Sequence, residues 1–184
     1  MSTPDFGSPS LAGRGPRALC SATVPDLRPT QIEVYLFRRR ARRVEFLCLK
    51  RAPRRGKLPG VWQPVTGGLR RGEGALAGAA REVREETGLT PHRWWSLEGV
   101  GIYFDAGAGL ARVMAMFAAE IDPQDGVRIS SEHEEYAFLS AAAAGRRFLW
   151  AAQQRGLDTV RREVLRGGRL ARALEVTHLM KRTR

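Results

Sequence analysis

Residues 67–89 constrain the fold of this chain more than any other stretch, because they combine a glycine-rich loop with one amphipathic helix. Apolar or small side chains recur there at three- and four-residue steps, at Leu76, Ala79, Ala80, Val83 and Thr87. This period places them on one face of an α-helix and predicts that the face is buried against a sheet. Gly88 follows where a glycine commonly ends a helix.

Three carboxylates lie on a flank of the same helix, beside the apolar stripe: Glu82, Glu85 and Glu86. Mg²⁺ takes oxygen ligands, keeps several waters and usually binds one or two protein carboxylates together with substrate phosphates. In the preceding loop, Gly67, Gly68 and Gly72 allow backbone N–H groups to approach an anion, and the helix N-terminus adds its positive dipole end. The pattern indicates a magnesium–phosphate site. A solvated surface helix is the competing interpretation, since like charges four residues apart cost only about 0.2–0.5 kcal/mol.

The complete spacing of this stretch resembles the signature of one family. Glycine is followed after five residues by Glu73, and after seven more by Arg81-Glu82, Val83, one residue, Glu85-Glu86, one residue, Gly88 and Leu89. Every specified position of the Nudix box is present, so the chain resembles the Nudix hydrolases. Residues 61–68 also resemble the dATP pyrophosphohydrolase and dihydroneopterin triphosphate pyrophosphatase group. Arg70 and Arg71 depart from that group, which often has acidic residues there.

The resemblance implies a fold and a reaction. The expected fold belongs to the α/β class, as an α/β/α sandwich around a mixed β-sheet. The expected reaction is Mg²⁺-dependent hydrolysis of a nucleoside triphosphate or pterin triphosphate to a monophosphate and pyrophosphate, with Mn²⁺ as the alternative ion. Glu82 and Glu86 are the implied metal ligands, and Glu85 either binds a second ion or hydrogen-bonds the bound water.

The resemblance also assigns supporting roles. Arg81 is expected to orient Glu73 or Glu85 through a charge-assisted fork and not to bind phosphate. The acidic segment 130–136 resembles the Glu-His-x-x-Tyr segment that many Nudix enzymes place opposite the box. Glu132 is therefore the favoured general base, with Glu82 or Glu85 as alternatives, and His133 is interpreted as structural.

Other residues are candidates for contact with substrate. Gly67, Gly68, Lys50 and Arg51 are expected near the substrate phosphates, and the loop with Arg54, Arg55 and Lys57 is a candidate to close over the site. An aromatic group from which a base or pterin pocket could draw consists of Trp94, Trp95, Tyr103 and Phe104. For each of these aromatic side chains, packing in the core is the competing interpretation.

Two other functions are kept open. The same fold could act on a dinucleoside polyphosphate, on ADP-ribose or on the 5′ end of RNA. A Nudix-fold module could instead bind a nucleotide without cleaving it, although such a module has no chemical need for all three box glutamates. The expected partner is a small nucleotide or pterin polyphosphate, and because Nudix proteins often pair, a homodimer is also left open.

Composition bounds the remaining possibilities. At 184 residues the chain has the length of one domain, and no run of about 18 apolar residues predicts a membrane span. The net charge of +12 would suit nucleic acid, but only Lys50, Lys57 and Lys181 are lysines among 31 basic residues. Such arginine usage favours a GC-rich coding genome over a nucleic-acid partner. Cys20 and Cys48 lack metal-site spacing, which favours free thiols and a cytoplasmic location.

The periodicity predicts the order of the elements. Residues 1–28 are interpreted as a disordered or over-extended segment, residues 29–166 as the domain and residues 167–184 as a solvated basic tail. Strands are predicted at 31–38, 44–49, 62–66, 94–104 and 112–121, the last being apolar on both faces and hence central. One helix is predicted at 140–154 with Ser140 as its cap, and a second at 158–165.

Overall fold

The computed structural model describes residues 27–53 and 58–180. The strands are β1 (Gln31–Arg40), β2 (Arg43–Arg51), β3 (Trp62–Gln63), β4 (Val65–Gly68), β5 (Arg93–Asp105), β6 (Leu110–Glu120) and β7 (His133–Leu139). The helices are α1 (Ala75–Thr87), α2 (Ala141–Arg147), α3 (Ala151–Val160), α4 (Gly168–Leu174) and α5 (Thr177–Met180), and a π-helical segment (Arg161–Leu165) extends α3. The interpretation of residues 1–26 and the candidates Arg54, Arg55 and Lys57 lie outside the described residues.

A single mixed sheet organises these elements. Its main path runs β3-β2-β1-β6-β5, while β4 pairs with β1 and β7 pairs with β2. Strand β1 is parallel to β6 and antiparallel to β2 and β4. The predicted α/β class with a mixed sheet is confirmed, and β6 is central as expected.

Strand β1 is buried on both faces, because helices cover the sheet from both sides. Ile32 and Val34 pack with the α1 residues Ala79 and Val83 on the first face. On the second face, Tyr35 and Phe37 pack with side chains of α3 and of β5, among them Leu157, Val160 and Trp95. We call these the α1 face and the α3 face.

Helix α1 forms as its sequence predicts. Gly88 ends it in the left-handed conformation, with φ of 71° and ψ of 0°. Ala79, Val83 and Thr87 of the stripe are buried, and the Thr87 hydroxyl donates to the Val83 carbonyl oxygen at 2.5 Å. The buried stripe holds the flank with the carboxylates at the edge of the core.

The predicted helix at 140–154 is wrong, because the chain leaves helical geometry after Arg147. Ser140 caps α2 as expected, and its side chain accepts from the Ala143 backbone N–H at 3.3 Å. Phe148 then becomes extended and buried and forms a bridge to Trp62. Burial of this aromatic ring against the sheet outweighs the local helical tendency.

The helix predicted to begin near Asp158 begins instead at Ala151. Gly156, which falls between the two predicted helices, lies inside α3, where the helix crosses Tyr35. A Cβ atom at Gly156 would lie 2.0 Å from the Tyr35 hydroxyl oxygen, so only glycine allows this approach.

The remaining differences concern shorter segments. The strand predicted at 62–66 is two strands separated by Pro64, which has no N–H for a sheet hydrogen bond. The predicted solvated tail is wrong as far as residue 180: Ala171 is buried, and the Val176 backbone N–H donates to the Trp94 carbonyl at 2.8 Å. Trp94 is itself buried, as is Trp95, so neither can stack on a ligand.

None of the described helices is long and apolar enough to cross a bilayer.

A buried polar network lies on the α3 face. Glu33 is only 4% exposed, and its carboxyl group contacts the Tyr35 hydroxyl. The same hydroxyl lies 3.0 Å from the Gln153 backbone carbonyl oxygen. A single phenolic proton cannot fully serve two acceptors, whereas a protonated Glu33 can donate to the Tyr35 oxygen and leave the phenolic proton for Gln153. Burial raises the pKa of Glu33, which agrees with this proton count.

We expect Glu33→Gln to raise the thermal stability at pH 8 relative to the wild type. Because burial raises the pKa of Glu33, the folded wild type binds a proton more tightly than the unfolded chain does, so its stability falls as pH rises above the ordinary Glu value of 4.5, whereas the amide is neutral throughout. Thermal unfolding from pH 4 to pH 8 measures the difference, which should vanish at the acid end. Exposed Glu98→Gln should follow the wild type, and a Glu33→Gln protein less stable than the wild type at pH 8 would contradict a protonated Glu33.

We expect Gly156→Ala to destabilise the fold by about 1–3 kcal/mol, because the added methyl group overlaps the Tyr35 hydroxyl. The loss opposes the helix preference for alanine, which alone would favour the variant by up to about 1 kcal/mol. Gly145→Ala in α2 is the matched control, since its Cβ would lie 3.8 Å from Leu157, and it should not destabilise. Equal urea midpoints for the two variants would show that the Tyr35 contact does not require glycine.

Candidate active site

Strand β4 and helix α1 bring the glycine loop and the carboxylates together. β4 ends beside the start of β1, where Gly67 pairs with Ile32. A Cβ atom at Gly67 would lie 2.1 Å from the Glu82 carboxyl carbon, so the absence of a side chain makes room for Glu82. Gly68 has open space around it, and its carbonyl oxygen accepts from Arg81 at 3.0 Å. The two glycines thus contact the helix flank in different ways.

Arg81 joins three carboxylates. Its Nε and Nη2 donate to the two carboxylate oxygens of Glu73, each at 2.8 Å, and its Nη1 donates to Glu82 at 2.8 Å and to Glu85 at 3.0 Å. The Arg81 side chain is only 11% exposed. The fork lowers the pKa of Glu73 to about 2, because hydrogen bonds from Arg81 favour the ionised carboxylate. The sequence predicts a fork from Arg81 to Glu73 or Glu85, and the structure contains both contacts together with one to Glu82.

The three box glutamates have different surroundings. The Glu82 side chain is 14% exposed and lies between Gly67 and Arg81. Glu85 is the outermost, with a side chain 48% exposed, and it accepts hydrogen bonds from both Arg70 and Arg81. Glu86 is buried.

Glu86 contacts a histidine from β7. The Nε2 atom of His133 lies 3.1 Å from Glu86 Oε2, and both side chains are buried. Burial raises the pKa of Glu86, the contact with His133 opposes that rise, and the charges of Glu82 and Glu132 add to it. A buried carboxylate with two more carboxylates near it is an electrostatically favourable position for a cation.

The segment that precedes β7 places Glu132 on this side of the molecule. The Ser130 backbone N–H donates to the Glu86 carbonyl oxygen at 3.0 Å, and the Arg128 N–H donates to that of Thr87 at 2.8 Å. These bonds satisfy carbonyl groups that the end of α1 leaves without helical partners. The exposed Glu132 side chain therefore lies near enough to influence Glu86, although the two are distant in sequence.

Lys50 and Arg51 lie on opposite faces of β2. Leu47 and Leu49 pack on the α1 face and Cys48 packs on the α3 face, and Arg51 continues the first set although the register with β7 shifts between Lys50 and Arg51. Lys50 forms an ion pair with Glu134 at 2.8 Å. Arg51 is the backbone partner of His133, and its Nη1 donates to the side chain of Gln63 at 3.4 Å. Of the two phosphate candidates, Arg51 is therefore the one on the α1 face with Glu82 and Glu86.

The donor set fits a hard divalent cation held by few protein ligands. Within residues 27–53 and 58–180, no three Asp, Glu, His or Cys side chains converge as a metal-binding group. Arg81 occupies Glu82 Oε1, and His133 occupies Glu86 Oε2, which leaves one oxygen of each glutamate for an ion. Two carboxylates completed by water and substrate phosphates are the usual environment of Mg²⁺.

Two features of the site were missed in the sequence. The contact between His133 and Glu86 joins distant segments and has no local signal. Gly67 was expected to approach a phosphate, whereas in the structure it makes room for Glu82. The glycine within an otherwise ordinary strand ending was the one available hint, because such a glycine often marks a close approach.

Comparisons with known proteins agree with this geometry. The family model of the NUDIX domain matches residues 28–164. The Ap4A hydrolase of C. elegans, in a binary complex, is 21% identical with a TM-score of 0.64, over 74% of this chain and 98% of that one. The E. coli dihydroneopterin triphosphate pyrophosphohydrolase is 23% identical with a TM-score of 0.58, over 71% of this chain and 93% of that one. At these identities the likeness to the two structures concerns the fold alone.

One curated relative has a different name. An octanoyltransferase from Myxococcus xanthus is 31% identical over 127 residues, which are 65% of this chain and 32% of that protein. The chain spans about a third of the length of this relative, so the activity in its name is not carried over here.

Proposed function

Because this chain belongs to the Nudix family, we propose that it is a pyrophosphohydrolase that converts a nucleoside triphosphate or pterin triphosphate into a monophosphate and pyrophosphate. The observation that carries this proposal is the grouping of Glu82, Glu86 and Glu132 around the last turns of α1, with Gly67 directly beside Glu82. The negative charge is concentrated where a metal-bound polyphosphate would lie.

Glu82 and Glu86 are the proposed ligands of Mg²⁺, or of Mn²⁺ as the alternative. Such an ion would supply charge neutralisation for the phosphate oxygens and alignment of the water with the scissile bond. Glu85 is proposed to bind a second ion or the metal-bound water. Arg81 keeps Glu82 and Glu85 in place through its hydrogen bonds and has no proposed contact with substrate.

Glu132 is the proposed general base, which takes a proton from the attacking water. Its side chain is exposed and therefore reachable by water. Glu82 and Glu85 are the alternatives, but Arg81 donates to both and Arg70 also donates to Glu85. Oxygens that already accept from a guanidinium group are less available to a water, which favours Glu132.

The substrate phosphates are proposed to lie along Gly67, Gly68 and Arg51. Arg51 supports this assignment by lying on the α1 face, whereas Lys50 lies on the other face and is paired with Glu134. For the base or pterin, the exposed rings of Tyr103 and Phe104 are the aromatic candidates that are free of the core. Tyr103 donates to the Gln31 side chain at 2.7 Å, and Gln31 is the backbone partner of Gly68.

A second candidate function keeps this site and changes the substrate to a dinucleoside polyphosphate, ADP-ribose or the 5′ end of RNA. The fold similarity to an Ap4A hydrolase makes this the first alternative to test. A non-catalytic nucleotide-binding module is a third reading, and the complete set Glu82, Glu85 and Glu86 argues against it.

We also propose a reducing, cytoplasmic location, which the buried free thiol of Cys48 supports. A homodimer is the proposed assembly by family resemblance, and no nucleic-acid partner is proposed.

We expect Mg²⁺-dependent release of pyrophosphate from dATP or dihydroneopterin triphosphate, and a loss of roughly a hundredfold or more in kcat/KM for Glu86→Gln. A metal contact is worth several kcal/mol, and each 1.36 kcal/mol or so corresponds to a tenfold change in rate. The measurement is pyrophosphate release from these two compounds and from RNA with a 5′-triphosphate, with chromatographic separation of the nucleotide products for diadenosine tetraphosphate and ADP-ribose, whose cleavage releases neither phosphate nor pyrophosphate.

Glu98→Gln is the control for this experiment, because Glu98 is exposed on β5. Turnover of diadenosine tetraphosphate, ADP-ribose or RNA alone would select the second candidate. Equal activity of Glu86→Gln and the wild type would reject Glu86 as a metal ligand, and nucleotide binding without any product would favour the non-catalytic module.

We expect Gly67→Ala to reduce turnover at least tenfold with little change in thermal stability. The new methyl group would lie 2.1 Å from the Glu82 carboxyl carbon, and the end of this flexible side chain must move away from its proposed metal-binding position. Gly68→Ala is the matched control, since nothing lies within 4 Å of its Cβ position. If both variants keep wild-type turnover, the position of Glu82 beside Gly67 is not needed for the reaction.

A further inference from the structure

Arg70 lies in the loop before α1 and differs from its neighbour Arg71 in its contacts. Its Nη2 donates to Glu85 Oε1 at 3.0 Å, and its backbone N–H donates to Glu73 Oε2 at 2.9 Å. Arg71 is also exposed, but it makes no hydrogen bond or ion pair with the described residues. The loop thus contains one arginine with defined partners directly beside one without them.

The contacts of Arg70 complete a closed ring of hydrogen bonds. Its side chain contacts Glu85, and Glu85 Oε2 accepts from Arg81 at 3.0 Å. Arg81 binds Glu73 through two hydrogen bonds, and Glu73 accepts in turn from the Arg70 backbone. The Glu73 N–H also donates to the Arg70 carbonyl oxygen at 3.0 Å. An isolated surface ion pair contributes little, whereas a network of several charges holds its members in place.

Glu85 differs from the other two box glutamates because both of its oxygens accept from guanidinium groups. Oε1 accepts from Arg70 and Oε2 from Arg81, each at 3.0 Å. Glu82 and Glu86 each keep one oxygen that accepts no hydrogen bond from the described side chains. A divalent cation bound to Glu85 would lie close to two guanidinium charges, which repel it. The place that a second cation would take at Glu85 is thus occupied by the Arg70 guanidinium.

The Arg70 guanidinium is fixed by Glu85 and still accessible to a ligand. Its side chain is 66% exposed, compared with 11% for Arg81. Arg81 donates from Nε, Nη1 and Nη2, whereas Arg70 uses only its Nη2 in the described part of the chain. A guanidinium group has five N–H donors in a planar arrangement that suits phosphate oxygens, so the Nε and Nη1 of Arg70 remain for an anion. Gly68, along which the substrate phosphates are proposed to lie, is only two residues away.

We propose that Arg70 is a substrate-binding residue that takes the place of a second divalent cation. Glu85 holds its guanidinium at the site, where it neutralises the substrate phosphates together with the single ion at Glu82 and Glu86. This role rests on the proposed function, because it concerns the same site and narrows the two roles named there for Glu85. Glu85 anchors Arg70 instead of a second ion, and its oxygens can still accept a hydrogen bond from a metal-bound water.

The first test counts bound Mn²⁺ by electron paramagnetic resonance, in the full chain without substrate. Arg70→Ala should bind one Mn²⁺ more than the wild type, because the substitution frees Glu85 Oε1 and removes a positive charge. The additional ion should be absent when Arg70→Ala is combined with Glu85→Gln. Arg71→Ala is the matched control and should bind as many ions as the wild type. An equal number of ions in Arg70→Ala and the wild type would overturn the replacement of a cation by Arg70.

The second test measures the contact with substrate by steady-state kinetics, on whichever compound the wild type hydrolyses. Arg70→Ala should lose about 10–100-fold in kcat/KM, the usual effect of removing a charge-assisted hydrogen bond. Arg70→Lys should recover part of the loss, since an ammonium group keeps the charge without the planar fork. Arg71→Ala should stay near the wild type. Equal losses in Arg70→Ala and Arg71→Ala would reject a specific role for Arg70.

The Mg²⁺ dependence of the rate distinguishes a substitute for a cation from an arginine that only shapes the loop. A high Mg²⁺ concentration should restore part of the rate of Arg70→Ala, because an ion can then bind the freed Glu85. It should not restore the rate when Glu85→Gln is also present. A loss in Arg70→Ala that added Mg²⁺ does not restore would reject the substitution and indicate a distorted loop.

The ion count and the turnover can fail separately. If Arg70→Ala gains one Mn²⁺ but the wild type hydrolyses none of the tested substrates, the proposed function is contradicted, and the place of Arg70 at Glu85 is supported. If the wild type hydrolyses a triphosphate, and Arg70→Ala has the same ion count and the same kcat/KM, the proposed function is supported and the role of Arg70 is rejected.

Discussion

The fork from Arg81 to Glu73, extended to Glu82 and Glu85, is the interaction on which the rest of the site depends. Carboxylates close to one another repel, and the repulsion grows as they are removed from water. The guanidinium lies between the carboxylates at 2.8–3.0 Å and replaces this repulsion with charge-assisted hydrogen bonds. It also ties the loop before α1 to the helix, through Glu73 and the Gly68 carbonyl oxygen.

Glu86 differs from Glu82 and Glu85 in its hydrogen-bond partner, which is not Arg81. Its partner is the imidazole of His133 and not a guanidinium, its surroundings are desolvated, and Glu82 and Glu132 add negative charge. Arg81 neutralises Glu82 and Glu85 and keeps them in place. Glu86 instead lies near the negative charges of Glu82 and Glu132. A divalent cation at Glu86 would add positive charge there, and the carboxylates of α1 differ in what surrounds them and not in residue type.

Two glycines allow a helix and the sheet to approach each other closely, one on each face of the sheet. On the α1 face, Gly67 makes room for Glu82, and on the α3 face, Gly156 lets the helix pass directly over Tyr35. In the sequence the first suggested contact with phosphate, and the second lies between two predicted helices. The structure uses the missing side chain of each glycine as space. Which atom fills that space depends on the crossing of helix and sheet and has no signature in the neighbouring residues.

Local backbone preference and periodicity are enough to predict the buried stripe of α1, its end at Gly88 and the central position of β6, and the spacing of the box indicates the family. Which side chains meet across the sheet depends on tertiary contacts. The register of β2 with β7 places Arg51 opposite His133, and the docking of β7 brings His133 to Glu86. Burial of Phe148 likewise interrupts a helix that its sequence favours. The physical reason is that helix period and glycine conformation act over a few residues, whereas register and burial depend on segments far apart in the chain.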